Sequence, residues 1–293
     1  MLKRSIAITS PCKINIRNSQ LIITSSTGNI NSVPVEDLAH IIIENQQTQI
    51  SIPALNFLAE NNVCVTLCDN KALPSSIITP INGNSLQGER HRIQLNASIP
   101  TKKAAWKQII ESKIRNQALL LQKIGKDGSI LKPYYQNVKS GDSDNREGVA
   151  AAVYWKQLLG QHFIRDPKGE FPNTLLNYGY TILRAATARA IIASGLMPSL
   201  GIHHKNRYNH MPLADDIMEP FRPWVDMTVI ELINNSTTSL DRNAKNQLIQ
   251  VIYSDTEVNN HNHPLSIALS MLCTSILSMM DGKTSTLSLP KLI

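Results

Sequence analysis

The sequence predicts an α+β chain: a small β-rich N-terminal domain (residues 1–82), a linker (83–90) and a larger all-α domain (91–293). Three observations carry that reading. β-Branched residues crowd a series of short runs before Pro80, turn-forming residues gather in "INGNSLQG", and beyond it apolar residues recur at helical rather than alternating spacing. A chain of 293 residues is long enough for two domains and a sizeable core.

Taken in order, the runs "RSIAIT", "CKINIR", "LIIT", "HIIIE", "VCVTLCD" and "SSIITP" are read as strands. One helix interrupts them, capped by Ser51, with Pro53 in its first turn, and ending near Asn61. The bridge "KALPSS" and then "INGNSLQG" is rich in turn residues, and the domain boundary falls in the second. Helices are expected over 102–123, 147–159, 174–194, 213–233, 240–253 and 264–280. Gly195 suits a helix C-terminus, and Pro264 the first turn of the last helix. The tripeptide His261-Asn262-His263 is read as capping that helix, since an HNH nuclease motif spreads its members over dozens of residues. No internal repeat or low-complexity tract is present.

Composition points to a polyanionic partner. Lys and Arg number 29 against 22 Asp and Glu, a net charge of +7. Much of the excess lies between Gly88 and Ser140: Arg90, Arg92, Lys102, Lys103, Lys107, Lys113, Arg115, Lys123, Lys126, Lys132 and Lys139 face only Glu89, Glu111 and Asp127. Ile109, Ile110, Ile114, Leu119, Leu120 and Leu121 thread through this run at roughly helical spacing. A basic helix with one apolar face can track phosphates; it can also be a solvated face, a membrane-surface helix or a calmodulin-binding one. Cys64 and Cys68 sit in an apolar strand with no second pair at zinc-site spacing, so the four cysteines are expected to be free and buried. That fits a reducing cytoplasm. No run is long enough for a signal peptide or a membrane span.

Chemistry concentrates in residues 201–226, "GIHHKNRYNHMPLADDIMEPFRPWVD". Asp215 and Glu219 are spaced i,i+4, and Asp216 and Glu219 i,i+3, so all three acids are expected on one helical face behind His203 and His204. Like charges that close favour a cation among them, and oxygen ligands with one imidazole suit magnesium or manganese. The same acids would also serve to complement a helix dipole, and the histidines to decorate a loop. Pro220 is expected to kink the helix, and Arg222 either orients Glu219, meets a phosphate or forms a surface pair. Upstream, "SGDSDNREGVAAAVYW" (140–155) places cap-forming residues before Glu147 and then small residues that let a neighbouring helix approach.

These blocks carry a resemblance. "EGVAAAVYW", "GIHH" and "LADDIMEPFRPWVD", in that order, resemble the CRISPR-associated integrase of the spacer-acquisition complex, the Cas-one family. "RIQLNASIPTKKAAWKQIIESKIRNQA" (92–118) is similar to the branch found in type II systems. The likeness runs from about residue 86 to 230, and the N-terminal third matches in pattern only. It implies one divalent ion, Mg2+ or Mn2+, held by Glu147, His204 and Glu219 as the catalytic set. The family's histidine stands fifteen positions before the last acid, which selects His204; His203 is the alternative, and Asp216 a supporting or alternate ligand. The activity implied is a metal-dependent DNA endonuclease and integrase that joins 3′-hydroxyl ends of short foreign duplexes to a CRISPR repeat by transesterification. The partners implied are double-stranded DNA (prespacer and repeat), a second copy of the chain paired through the β-rich domain, a dimer of the small Cas-two protein and the type II effector nuclease, with no membrane. The expected location is the cytoplasm. Two other readings remain: a non-catalytic DNA-binding scaffold of the same complex, and a phosphodiesterase acting on small phosphoesters.

Overall fold

In the computed structural model, residues 4–70, 74–81 and 83–293 are described. Part of the bridge "KALPSS" and Asn82 in "INGNSLQG" lie outside them. The chain divides into two compact units, Met1–Ser85 and Leu86–Ile293.

The first unit holds two four-stranded sheets. In one, β1 (Arg4–Ile8), β5 (Leu38–Ile43) and β7 (Cys64–Cys68) run parallel, and β8 (Pro74–Ile78) closes the far edge antiparallel to β7. Every residue of β5 is buried, which explains its near-continuous apolar sequence. The other sheet is ordered β4–β3–β2–β6, from β2 (Cys12–Arg17), β3 (Gln20–Ser25), β4 (Ile30–Pro34) and β6 (Gln49–Ile50). Neither β4 nor β6 is predicted from sequence: β4 is an exposed edge strand, "INSVP", with no apolar alternation, and β6 has two residues. Helix α1 (Ile52–Glu60) starts as expected, Ser51 Oγ accepting the Ala54 N–H at 3.3 Å. Ile14, Leu21, Leu38, Ile41, Leu58 and Val65 from both sheets and α1 form the core.

The second unit is mostly helical: α2 (Gln87–Asn96), α3 (Ile99–Lys123), α4 (Lys132–Tyr135), α5 (Arg146–Leu159), α6 (Asn173–Ala193), α7 (Pro212–Met218), α8 (Arg222–Asn234), α9 (Arg242–Gln250) and α10 (Leu265–Met280). Residues 87–90, read above as linker, are the opening of α2. The helix expected over 213–233 is broken: Glu219–Phe221 form a 3-10 turn between α7 and α8, at the proline that cannot donate to the ladder. His261-Asn262-His263 do not cap α10. They lie in β10 (His261–Pro264), which pairs antiparallel with β9 (Asp255–Val258). Asn259 and Asn260 both take positive φ, 52° and 63°, the two-residue turn that favours a hairpin over a helix entry.

Helix α3 organises this unit. Its stripe Ile109, Ile110, Lys113, Ile114, Gln117, Leu120 and Leu121 is buried, as are Ser112 and Asn116. Asn116 Nδ2 donates to Pro220 O (2.9 Å) and Pro290 O (3.0 Å), and its Oδ1 accepts the Leu292 N–H (3.1 Å). One side chain thereby ties α3 to the 3-10 turn and to the C-terminal segment.

Candidate active site

The residues N-terminal to α5 set the first acid. Asn145, at φ 52°, caps the helix by accepting the Gly148 N–H at 3.2 Å. Asp142 accepts the N–H groups of Arg146 (2.7 Å) and Glu147 (3.1 Å), so two of the helix's unpaired donors are satisfied and the backbone of Glu147 is fixed. Burial lifts the Asp142 carboxyl above its ordinary range, against those bonds. Of the small residues that follow, Ala150 is buried and Ala151 lines a cavity.

The second acid comes from the 3-10 turn. Glu147 Oε1 and Glu219 Oε2 both reach Lys113 Nζ, at 2.5 and 2.6 Å, and Glu219 Oε1 pairs with Arg222 Nη2 at 2.8 Å. The Lys113 side chain is only 9% exposed and that of Glu219 5%. Burial pushes Glu219 towards the neutral form, but Arg222 and then Lys113 overrule it and hold the carboxyl down to about 2. For Lys113, burial opposes the charge while Glu219 and then Glu147 restore it, with a net rise. Lys113 thus bridges the two carboxylates, with an ion pair to each.

The imidazoles sit on a tight loop before α7. Asp216, fully buried, accepts the N–H groups of Ile202 (2.6 Å) and His203 (3.0 Å) at Oδ2, and of His204 (3.2 Å) at Oδ1. Its Oδ1 also takes the His204 Nδ1–H at 2.6 Å. That bond raises the His204 pKa, against burial, and leaves Nε2 as the nitrogen free to ligate. Gly201 permits the loop: a Cβ there would meet His204 O at 2.6 Å and Asp216 Oδ2 at 3.0 Å. His203 is not aimed with His204. Its ring stacks on Trp106 at 4.3 Å and 1°.

The three acids of residues 215–219 do not share a face. Asp215 turns to Arg184, bonded at 2.6 and 3.2 Å, and Asp216 to the histidine loop; only Glu219 reaches the α5 side. Consecutive residues on a helix lie about 100° apart, and the 3-10 turn re-aims Glu219 further. Nor are Glu147, His204 and Glu219 drawn into one ready ligand set: among the described residues no three His, Cys, Asp or Glu side chains converge so as to hold a metal ion. The two carboxylates converge on Lys113 instead.

Several residues here escape the sequence. Lys113 belongs by sequence to the basic run, yet it occupies the buried phase of α3 beside Ile109, Ile110 and Ile114, and a lysine on an apolar stripe is the signal that could have found it. A cavity of about 290 Å³ opens beside it, lined also by Gln117, Trp155, Arg165, Tyr180 and Asp226. Asp226, buried, accepts from Tyr154 Oη at 2.7 Å and from Tyr180 Oη; burial raises it to about 6 despite those bonds. The Tyr180 ring carries Arg222 at 4.5 Å and Arg165 at 5.2 Å. Gly179 lets α6 meet α8, since a Cβ there would lie 2.5 Å from Val225 Cγ1. Of the basic run, Arg92, Lys103, Arg115, Lys123, Lys126, Lys132 and Lys139 are exposed, while Arg90 bonds Ser194 O at 3.0 Å. All four cysteines are buried and outside any disulfide, and no helix among the described residues is long and apolar enough to cross a membrane.

In donor chemistry the site fits a divalent cation. Two carboxylates already share one cation, and an imidazole has its other nitrogen committed.

The family model described as "CRISPR associated protein Cas1" matches residues 6–258. A "CRISPR-associated endonuclease Cas1" of Neisseria meningitidis serogroup C (strain 8013) is 35% identical over 298 residues, covering 100% of this chain and 97% of that protein. Among solved structures, a Cas1 protein from Thermotoga maritima has a TM-score of 0.78 at 17% identity, over 96% of this chain and 98% of that one. A casposase bound to integration product has a TM-score of 0.77 at 20% identity, over 98% and 93%. Likeness at those identities is likeness of fold.

Proposed function

The chain belongs to the CRISPR-associated Cas1 family, and on that premise we propose that it is a divalent-metal-dependent DNA endonuclease and integrase. It inserts short foreign duplexes into a CRISPR array by transesterification. Glu147, Glu219 and His204 Nε2 would hold the ion. When bound, Mg2+ or Mn2+ supplies charge stabilisation at the phosphate and lowers the cost of ionising a 3′-hydroxyl. The chain's own residues do the rest. Arg222 orients Glu219, Asp142 fixes the backbone of Glu147, and Asp216 keeps the His204 proton on Nδ1. Arg165 and Arg222, on the cavity wall, offer guanidinium groups to phosphate oxygens. The single observation that carries the reading is the meeting of two carboxylates from separate elements on one cation beside that cavity. The exposed basic residues around α2–α4 support DNA as substrate. By analogy with structures described as a Cas6-RT-Cas1–Cas2 complex and a TtCas1–DNA complex, the partners would be DNA and Cas2; the family resemblance adds a second copy of the chain and duplex form for the DNA.

A second reading, the non-catalytic scaffold, is favoured by one fact: Lys113 already neutralises the carboxylates. Strand transfer of a 3′-hydroxyl duplex into an array-bearing plasmid separates the two. The chain with its small partner should join DNA in Mn2+, not in EDTA, and lose joining with Glu147→Gln, His204→Gln or Glu219→Gln. DNA binding without joining in any metal would establish the scaffold instead.

A further inference from the structure

Lys113 stands where a cation is wanted. Its ammonium lies 2.5 Å from Glu147 and 2.6 Å from Glu219, in a side chain 9% exposed. Two carboxylates this close to one point do not both stay ionised without positive charge between them. A lysine serves, but it brings a single charge to two carboxylates. The backbone beneath Lys113 cannot shift to improve the fit, because Ser112 bonds Pro290 O at 3.2 Å and Asn116 bonds the 3-10 turn and the C-terminal segment. The side chain is held by its ion pairs, which can be exchanged. Its flexible stem borders the cavity of about 290 Å³.

We propose that Lys113 is a tethered counter-cation: it holds Glu147 and Glu219 together in the metal-free protein and gives up both contacts when a divalent ion enters. Metal affinity is then set by competition between the ion and the ammonium. Electrostatic balance favours the exchange, since the divalent ion doubles the charge at that point. The displaced ammonium swings into the cavity, towards Gln117, Tyr180 and Asp226. The inference rests on the ligand set of the integrase reading.

The test is Mn2+ binding to the full chain, with free ion measured by electron paramagnetic resonance, in wild type, Lys113→Met, Lys113→Gln and Glu147→Gln. Removing the competitor should tighten Mn2+ binding about tenfold or more in both Lys113 variants, the scale of a single charge–charge attraction inside a protein. It should also enlarge the rise in melting temperature on adding Mn2+. A Lys113→Met chain that folds only with Mn2+ present is the same result in stronger form, and Lys113→Gln keeps a polar group should Met prevent folding altogether. Unchanged or weaker binding in both Lys113 variants, while wild type binds and Glu147→Gln does not, overturns the proposal and leaves the integrase reading standing. Absence of Mn2+ binding in every form, Lys113 variants included, overturns both.

Discussion

Asp216 is the residue whose removal has the most directly calculable effect. It is fully buried and accepts four hydrogen bonds, three from the backbone N–H groups of residues 202–204 and one from His204 Nδ1. Asp216→Ala leaves those donors without an acceptor. Each buried donor so stranded costs about 1–3 kcal/mol. Ile202 is buried, whereas His203 and His204 are more open and regain water, so the expected loss is about 3–5 kcal/mol. Asp216→Asn is the sharper variant because it keeps the shape. Its oxygen can still serve Ile202 and His203, but its NH2 must face His204 and donate to Nδ1, which moves the imidazole proton to Nε2. Stability should then fall by about 1–3 kcal/mol and Mn2+ affinity by about 10–100-fold, as when the partner of a ligating histidine is removed. Urea unfolding gives the first quantity, a Mn2+ titration the second, and 15N-histidine NMR the tautomer. An Asn variant with wild-type Mn2+ affinity and the proton still on Nδ1 would show that Asp216 does not set the tautomer of His204.

Other expectations follow from the same geometry. Glu219, ordinarily near 4.5, is held to about 2 in the fold, so its stabilisation is present above 4.5 and lost as pH falls towards 2; denaturation midpoints should drop steeply there for wild type and less for Glu219→Gln. Asp226 has the opposite sign: raised from 3.8 to about 6, it makes stability fall as pH rises between those values, and Asp226→Asn should remove that slope. Gly201→Ala should cost about 1–3 kcal/mol by thermal unfolding and weaken Mn2+ binding, because its Cβ would press within 2.6 Å of the His204 carbonyl. Asp142→Ala should cost about 1–2 kcal/mol and lower Mn2+ affinity by loosening Glu147; unaltered affinity would show that its two backbone bonds do not position that acid.

What the sequence discloses is whatever is decided locally. The Ser51-Pro53 helix start, the cap residues before Glu147, the kink at Pro220 and the apolar run of β5 each depend on neighbours within one turn or strand. Strand β4 escapes a sequence reading because "INSVP" becomes a strand only through its register with β3. The His261–His263 hairpin escapes it because two asparagines, and not glycine, supply its positive φ angles. In the site, spacing puts Asp215, Asp216 and Glu219 on one face, and the fold sends them to three different partners. Family motifs identify Glu147, His204 and Glu219 as candidates. They say nothing of Lys113, whose role depends on α3 lying against two elements distant in sequence.

The proposed function needs three ligands on one ion, which Mn2+ electron paramagnetic resonance of the wild-type protein can count. One bound Mn2+ per chain coupled to a single imidazole nitrogen is predicted, with the coupling lost in His204→Gln and the ion lost in Glu147→Gln and Glu219→Gln. A bound ion with no nitrogen coupling, or a coupling that survives His204→Gln, would contradict it.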